Sequence, residues 1–141
     1  MKLLTSISTL TLCFALLPSS AWALTMEIQV RNGDVTIFDI PNPVPGSTVG
    51  SVTVAAFESH NIPFQGSEEG IASIRGITSE MEPVSDNVLK AWGWCYSVDG
   101  HVFDLMPDKV TLNSGAGVLK WFYAYALYDS GTWTGYCIQE K

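Results

Sequence analysis

Positive charge is scarce in this chain, and histidine nearly absent. Seven Lys and Arg stand against fourteen Asp and Glu in 141 residues, with two histidines and a net charge of −7. The acids are scattered through Glu58, Glu68, Glu69, Glu80, Glu82 and Asp86 rather than gathered in a tail. Such a surface repels phosphate, so nucleic acid and anionic membrane surfaces are poor partners.

Catalytic words are missing too. There is no Gly-x-Ser-x-Gly elbow, no glycine-rich phosphate loop and no Cys-x-x-Cys pair. His60 falls at the end of a predicted helix, where a cation suits the dipole, and His101 follows an Asp-Gly turn. Neither has thiolate or carboxylate companions at ligand spacing. Ser97, Asp99 and His101 are close in sequence, but side chains two apart on a strand lie roughly 7 Å from each other. A triad needs hydrogen-bond contact. Glu68-Glu69 reads as a solvated pair on a loop. The expectation is therefore no enzyme, no metal and no cofactor.

The long apolar run is confined to the N-terminus. Lys2 precedes Leu3 to Leu17, followed by Pro18-Ser19-Ser20 and Ala21-Trp22-Ala23. An apolar run of about 15 residues, interrupted by Thr and Ser, is short for a bilayer span of roughly 20. A signal peptide with cleavage after Ala23 is the expected reading, ahead of a retained anchor. Leu12 precedes Cys13 and the apolar core runs on to Leu17, which disfavours a lipoprotein. The expected organisation is a signal peptide over 1–23 and a single domain over 24–141, exported to the periplasm or beyond, with no membrane span after cleavage. About 118 residues is an ordinary size for one compact unit.

Cysteine is equally sparse. After cleavage only Cys95 and Cys137 remain, and an even pair in an oxidising compartment most simply forms one disulfide, two free thiols being the alternative. Strand parity sets Cys95 opposite the Trp94/Tyr96 face and Cys137 opposite the Tyr136/Ile138 face, so both can project from one side of a sheet. Closing a loop of about 43 residues stabilises by about 4 kcal/mol in the chain-entropy model.

Aromatic strands are what the chain does have. In Trp92-Gly93-Trp94-Cys95-Tyr96-Ser97-Val98, period-2 alternation puts Trp92, Trp94 and Tyr96 on one face before the Asp99-Gly100 turn. Trp121-Phe122-Tyr123-Ala124-Tyr125 repeats the pattern. Met26 to Arg31 and Val35 to Ile40 flank Asn32-Gly33, a strong hairpin signal. Gly46-Ser47-Thr48 offers an N-cap for a helix of about a dozen residues, with Val49, Val52, Thr53, Ala56 and Phe57 on its buried stripe. Asn61 to Gly70 reads as a loop, Ile71 to Ile77 as one strand, and the acidic, proline-bearing Thr78 to Asn87 as a surface connection. Val110 to Leu112 reads as a short strand, and Val118 to Leu127 with Trp133 to Gln139 as a final hairpin.

The words Gly46-Ser47-Thr48-Val49, Ile71-Ala72-Ser73-Ile74-Arg75-Gly76-Ile77, Trp94-Cys95-Tyr96-Ser97-Val98-Asp99-Gly100, then Leu112, Gly115, Val118 and Trp121-Phe122-Tyr123 resemble the domain-of-unknown-function family DUF4430. That family is similar to the C-terminal domain of the cobalamin carriers transcobalamin and intrinsic factor. The resemblance implies an α+β fold, with a β-grasp-like mixed sheet of about five or more strands on one helix, and here an extra C-terminal hairpin. It implies no enzyme. The chain departs from the family at Asp99, commonly Asn, and at Gly115-Ala116-Gly117, where a Gly-Asp pair is common.

One short helix cannot cover every aromatic of such a sheet. Trp94 and Tyr96 are expected to pack beneath Val52, Ala56 and Phe57, while Trp121, Tyr123, Tyr125 and Trp133 supply the candidate contact surface for a ligand or partner. Two functions remain open. One is a non-enzymatic module recognising a small ligand, by resemblance corrinoid-like. The other is an exported protein-interaction or structural module.

Overall fold

The computed structural model describes residues 22–140. All but the last two residues of the expected signal peptide, together with residue 141, lie outside the described residues. The chain opens with a hairpin, β1 (Ala23–Gln29) and β2 (Val35–Pro41), followed by helix α1 (Val49–Ser59). Next come β3 (Phe64–Ser67), β4 (Gly70–Ile74), β5 (Ile77–Thr78), β6 (Glu80–Ser85), β7 (Val88–Val98) and β8 (His101–Val102). A 3-10 turn at Pro107–Lys109 precedes β9 (Val118–Asp129) and β10 (Thr132–Ile138). Seven strands form the main sheet in the order β2-β1-β9-β7-β6, with β8 on β7 and β10 on β9. A second sheet joins β3, β4 and β5. The fold is a mixed α+β one.

Strand β9 lies at the centre because its 12 residues are long enough to serve three partners. Along one edge it pairs antiparallel with all of β7. Along the other, β1 runs parallel to its first part, from Val118 to Phe122, and β10 folds back antiparallel onto Tyr125 to Asp129. The C-terminal hairpin is thus built on the central strand instead of being appended to the sheet. The expected disulfide is present: Cys95 and Cys137 are bonded at 2.04 Å, with their Cα atoms 5.9 Å apart. It ties β7 to β10 across β9.

Helix α1 forms as its sequence requires. Thr48 caps it, its Oγ1 accepting from the Ser51 amide at 3.1 Å while Ser51 Oγ accepts from the Thr48 amide at 3.1 Å, a reciprocal capping box. The helix buries Val49, Val52, Thr53, Ala56 and Phe57, the stripe expected from the spacing, and Gly50 with them. These side chains pack on Leu24, Met26 and Ile28 of β1 and on Leu119 and Trp121 of β9.

Four local readings change. Thr78 to Asn87 is not a bare connection, because β6 pairs with β7 there; Pro83 is accommodated on an edge strand, beside a register shift between Pro83 and Ser85. Ile71 to Ile77 is not one strand, because Arg75 (φ 53°) and Gly76 (φ 80°) reverse the chain between β4 and β5. The supposed loop from Asn61 to Gly70 contains β3, and Val110 to Leu112 contributes only an isolated bridge, Thr48 to Thr111.

Gly50 explains itself through contact. A Cβ at this position would collide with the backbone of Glu68. In an exposed helix Gly→Ala gains about 1 kcal/mol. Here Gly50→Ala is expected to destabilise by about 1–3 kcal/mol because backbone cannot yield as a side chain can, which urea unfolding checks. Cys137→Ser is expected to cost about 2–5 kcal/mol in the same assay.

Candidate functional site

Register places the aromatics of β7 and β9 directly opposite one another: Trp92 with Tyr125, Trp94 with Tyr123, and Tyr96 with Trp121. The result is a double row on the helix-facing side of the sheet. Trp92 stacks on Tyr123 at 5.6 Å between centroids, Trp94 meets Tyr123 edge-on at 5.4 Å, and Tyr96 tilts against Trp121 at 5.4 Å. Such pairs add about 0.5–1.5 kcal/mol each beyond area burial.

Three different parts of the chain cover this row. At one end α1 lies over Trp121, whose Nε1 donates to Thr53 Oγ1 at 2.9 Å. In the middle β5 supplies carbonyls: Trp94 Nε1 donates to Ile77 O at 2.9 Å and the Tyr123 hydroxyl to Thr78 O at 2.7 Å. At the far end the Arg31 guanidinium stands 3.8 Å from the Trp92 ring centre, and Lys90 Nζ 4.7 Å from that of Tyr125. Tyr96 shares the core cluster of Val52, Ala56 and Phe57 and Trp94 packs against it, while the hydrogen bonds divide differently: Trp121 bonds to α1, and Trp94 bonds to β5.

The Arg31 end is held by charge. Arg31 pairs with Glu80 at 3.0 Å, Glu82 at 2.8 Å and Glu140 at 3.4 Å, and Lys90 with Glu140 at 2.8 Å. Trp92 Nε1 donates to Glu82 Oε2 at 2.7 Å. That bond, with help from Arg31, holds the Glu82 carboxyl below its ordinary range. The Lys90 hydrogen bond, followed by Arg31, does the same for Glu140. Glu140 lies three residues beyond Cys137, so the disulfide and the ion pairs fasten one C-terminal strap over Trp92.

An opening remains at the helix end of the row. Trp94, Tyr96 and Trp121 line a cleft of about 230 Å³ with Ile71 and the segment Phe103 to Pro107. Phe103 stacks nearly parallel on Tyr96, 7° apart with centroids at 6.0 Å. The Tyr96 hydroxyl donates to Leu105 O at 2.7 Å, and burial raises it above the ordinary tyrosine range, so it stays a protonated donor. Leu105 and Met106, on the same segment, are 58% and 62% exposed. Sequence reasoning missed this segment, although Phe103-Asp104-Leu105-Met106-Pro107 sets four apolar residues around a single acid.

A larger apolar groove, about 400 Å³, runs between α1 and the segment Ile40 to Val44. It lies away from the aromatic row. Two of its polar groups, Ser51 and Ser59, are already engaged in capping and in a bond to Ala56 O. No aromatic ring lines it, whereas Trp94, Tyr96, Phe103 and Trp121 line the cleft.

The four aromatics proposed from sequence do not converge. Trp121 is buried and lines the cleft, Tyr123 is buried beneath β5, and Tyr125 is half-buried under Lys90. Trp133, 42% exposed, is on β10, where it meets Tyr128 edge-on at 5.2 Å and stacks on Tyr136, itself 65% exposed. Parity on β9 sets Tyr128 on the face opposite Tyr125. The remaining candidates are engaged locally: His60 lies tilted against Phe38 at 4.2 Å, His101 sits edge-on to Phe103 at 4.5 Å, and Asp99 Oδ1 accepts from the Gly117 and Val118 amides at 2.9 Å each. Asp99 thus caps the end of the Gly115 to Gly117 turn. Among the described residues no three His, Cys, Asp or Glu side chains are grouped to hold a metal ion, and no helix is long and apolar enough to cross a membrane.

The sequence matches no known family model and no curated protein. Among solved structures the chain is similar to a protein of Ruminococcus gnavus described as a "putative metal binding protein", at a TM-score of 0.48 and 14% identity over 73% of this chain and 96% of that one. A likeness at this level carries no functional argument.

The Arg31 strap has a testable pH dependence. The carboxyls of Glu82 and Glu140 are lowered on folding, so their contribution is complete above the ordinary glutamate value of 4.5 and is lost as pH falls through the lowered folded values. Urea midpoints recorded from about pH 7 down to about pH 3 should fall most steeply below that value. Glu82→Gln should flatten the fall; an unchanged profile in this variant counts against the strap.

Proposed function

We propose that this chain is an exported, non-enzymatic binding module that recognises a small ligand with a flat apolar edge, held between the stacked rings of Tyr96 and Phe103 and the exposed side chains of Leu105 and Met106. One observation carries the reading. An aromatic-lined cleft stays open where the rest of the row is covered by the chain itself. Its volume is below the 300–1,000 Å³ typical of complete ligand sites, so it suits one edge of a larger planar molecule. By resemblance to DUF4430 and to the cobalamin carriers, a corrinoid-like ligand is the first to test. The β-grasp-like description belongs with this proposal, supported by one helix packed across a mixed sheet with a central parallel β1/β9 pair. So does export, supported by the N-terminal pattern and by a disulfide of the kind oxidising compartments maintain.

A second reading has its own observation. Trp133 and Tyr136 form an exposed aromatic pair beside Tyr128, on the other side of the sheet from the cleft. Aromatics of this kind are frequent anchors of protein interfaces, and they favour an exported interaction module.

Equilibrium dialysis against cyanocobalamin and cobinamide, beside native mass spectrometry of protein taken from its own export compartment, separates the two. On the first reading Met106→Asp weakens ligand binding at least about tenfold while changing stability by less than about 0.5 kcal/mol, as exposed positions do. Trp133→Ala leaves ligand binding untouched. If Trp133→Ala abolishes association with a co-purifying protein and no small molecule is retained, the interaction reading replaces the first.

A further inference from the structure

The geometry points to a processing site two residues earlier than the Ala-x-Ala pattern suggests: we infer that the exported chain is cut between Ala21 and Trp22, so that Trp22 is its first residue. The inference rests on the export reading above and adds where the leader ends.

Trp22 is part of the fold. Its indole Nε1 donates to Ala116 O at 2.7 Å, a bond spanning 94 residues of sequence. Its carbonyl accepts from the Asn42 amide at 2.8 Å, which extends the β1/β2 ladder one step past the Ala23 to Pro41 pair. Its ring packs against the hydrophobic core. A cut after Ala23 deletes both hydrogen bonds and leaves Ala116 O and the Asn42 amide without these partners.

Moving the cut two residues upstream removes each of these objections. Leader peptidases read small residues at the first and third positions before the bond. For the Ala21–Trp22 bond these are Ala21 and Ser19, both small. The competing bond, Ala23–Leu24, presents Ala23 and Ala21. Sequence pattern alone does not separate the two, and the structural role of Trp22 does. The reaction is hydrolysis: water adds across the Ala21–Trp22 peptide bond, leaving a carboxylate on Ala21 and an amine on Trp22.

The two bonds differ in one position each, which makes the test clean. Ser19→Gln puts a large residue three before the Ala21–Trp22 bond and leaves the other recognition pair intact. Ala23→Gln blocks only the Ala23–Leu24 bond, at an exposed strand position. Full-length chain is expressed with its own leader, and the intact mass of the exported protein is measured. The predominant species should begin at Trp22 in the unaltered chain and in Ala23→Gln, whereas Ser19→Gln should accumulate uncut precursor or shift the cut. A predominant species beginning at Leu24, lighter by one Trp and one Ala, overturns the inference and leaves export standing. Full-length protein retained in the cytoplasm overturns both.

Discussion

Five of the six large rings on the helix-facing side of β7 and β9, all but the half-buried Tyr125, carry an N–H or O–H that is bonded within the protein, and the fold is arranged around where those donors end. Trp121 finds Thr53, Trp94 and Tyr123 find the carbonyls of Ile77 and Thr78, Tyr96 finds Leu105 O, and Trp92 finds Glu82. Leaving such a donor buried and unbonded costs about 1–3 kcal/mol, so each acceptor fixes the element that bears it. The helix, the small sheet, the loop before the 3-10 turn and edge strand β6 are all located in this way. Apolar burial alone would hold them against the sheet without deciding their register.

This dependence explains what could and could not be read from the chain. The strand holding Trp92, Trp94 and Tyr96 was legible because its alternation is regular. The helix was legible from Thr48 and its apolar stripe. The disulfide was legible from the even pair of cysteines rather than from strand parity, since β10 shifts register between Gly135 and Ile138 and Cys137 itself has φ 52°. The covers were not legible, because an indole donor meets its acceptor across long stretches of sequence and a backbone carbonyl carries no side-chain signature. Ile77 reads as the end of a strand and Thr78 as the start of a connection, and only the reversal at Arg75-Gly76 aims their carbonyls at the rings. Pro83 concealed β6 because proline argues against central strands but not edge ones.

The candidate site divides similarly. Trp121 could be named from sequence as a lining residue, but Tyr96 and Phe103, which form the stacked wall, belong to what reads as the core and the return strand of the Asp99-Gly100 hairpin. Arg31 gave no signal at all: one basic residue after a strand is ordinary, and its place over Trp92 depends on acids from β6 and from the C-terminal end of the chain. Charge scarcity therefore has a local meaning. With so few cations in the chain, Arg31 and Lys90 gather three of its acids around one end of the aromatic row.

The parallel pairing of β1 with β9 sets the order in which the chain can fold. The first strand of the domain has its central neighbour almost at the other end of the sequence, and the Trp22 to Ala116 bond spans 94 residues. Until β9 emerges, β1 and β2 form only an isolated hairpin, which is marginal in water, and α1 has no sheet to bury its stripe against. Closing so long a loop makes folding slow in comparison with helical domains of similar size. A nascent chain of this topology stays unfolded until nearly all of it has been made, which is the state in which a polypeptide threads a narrow export channel.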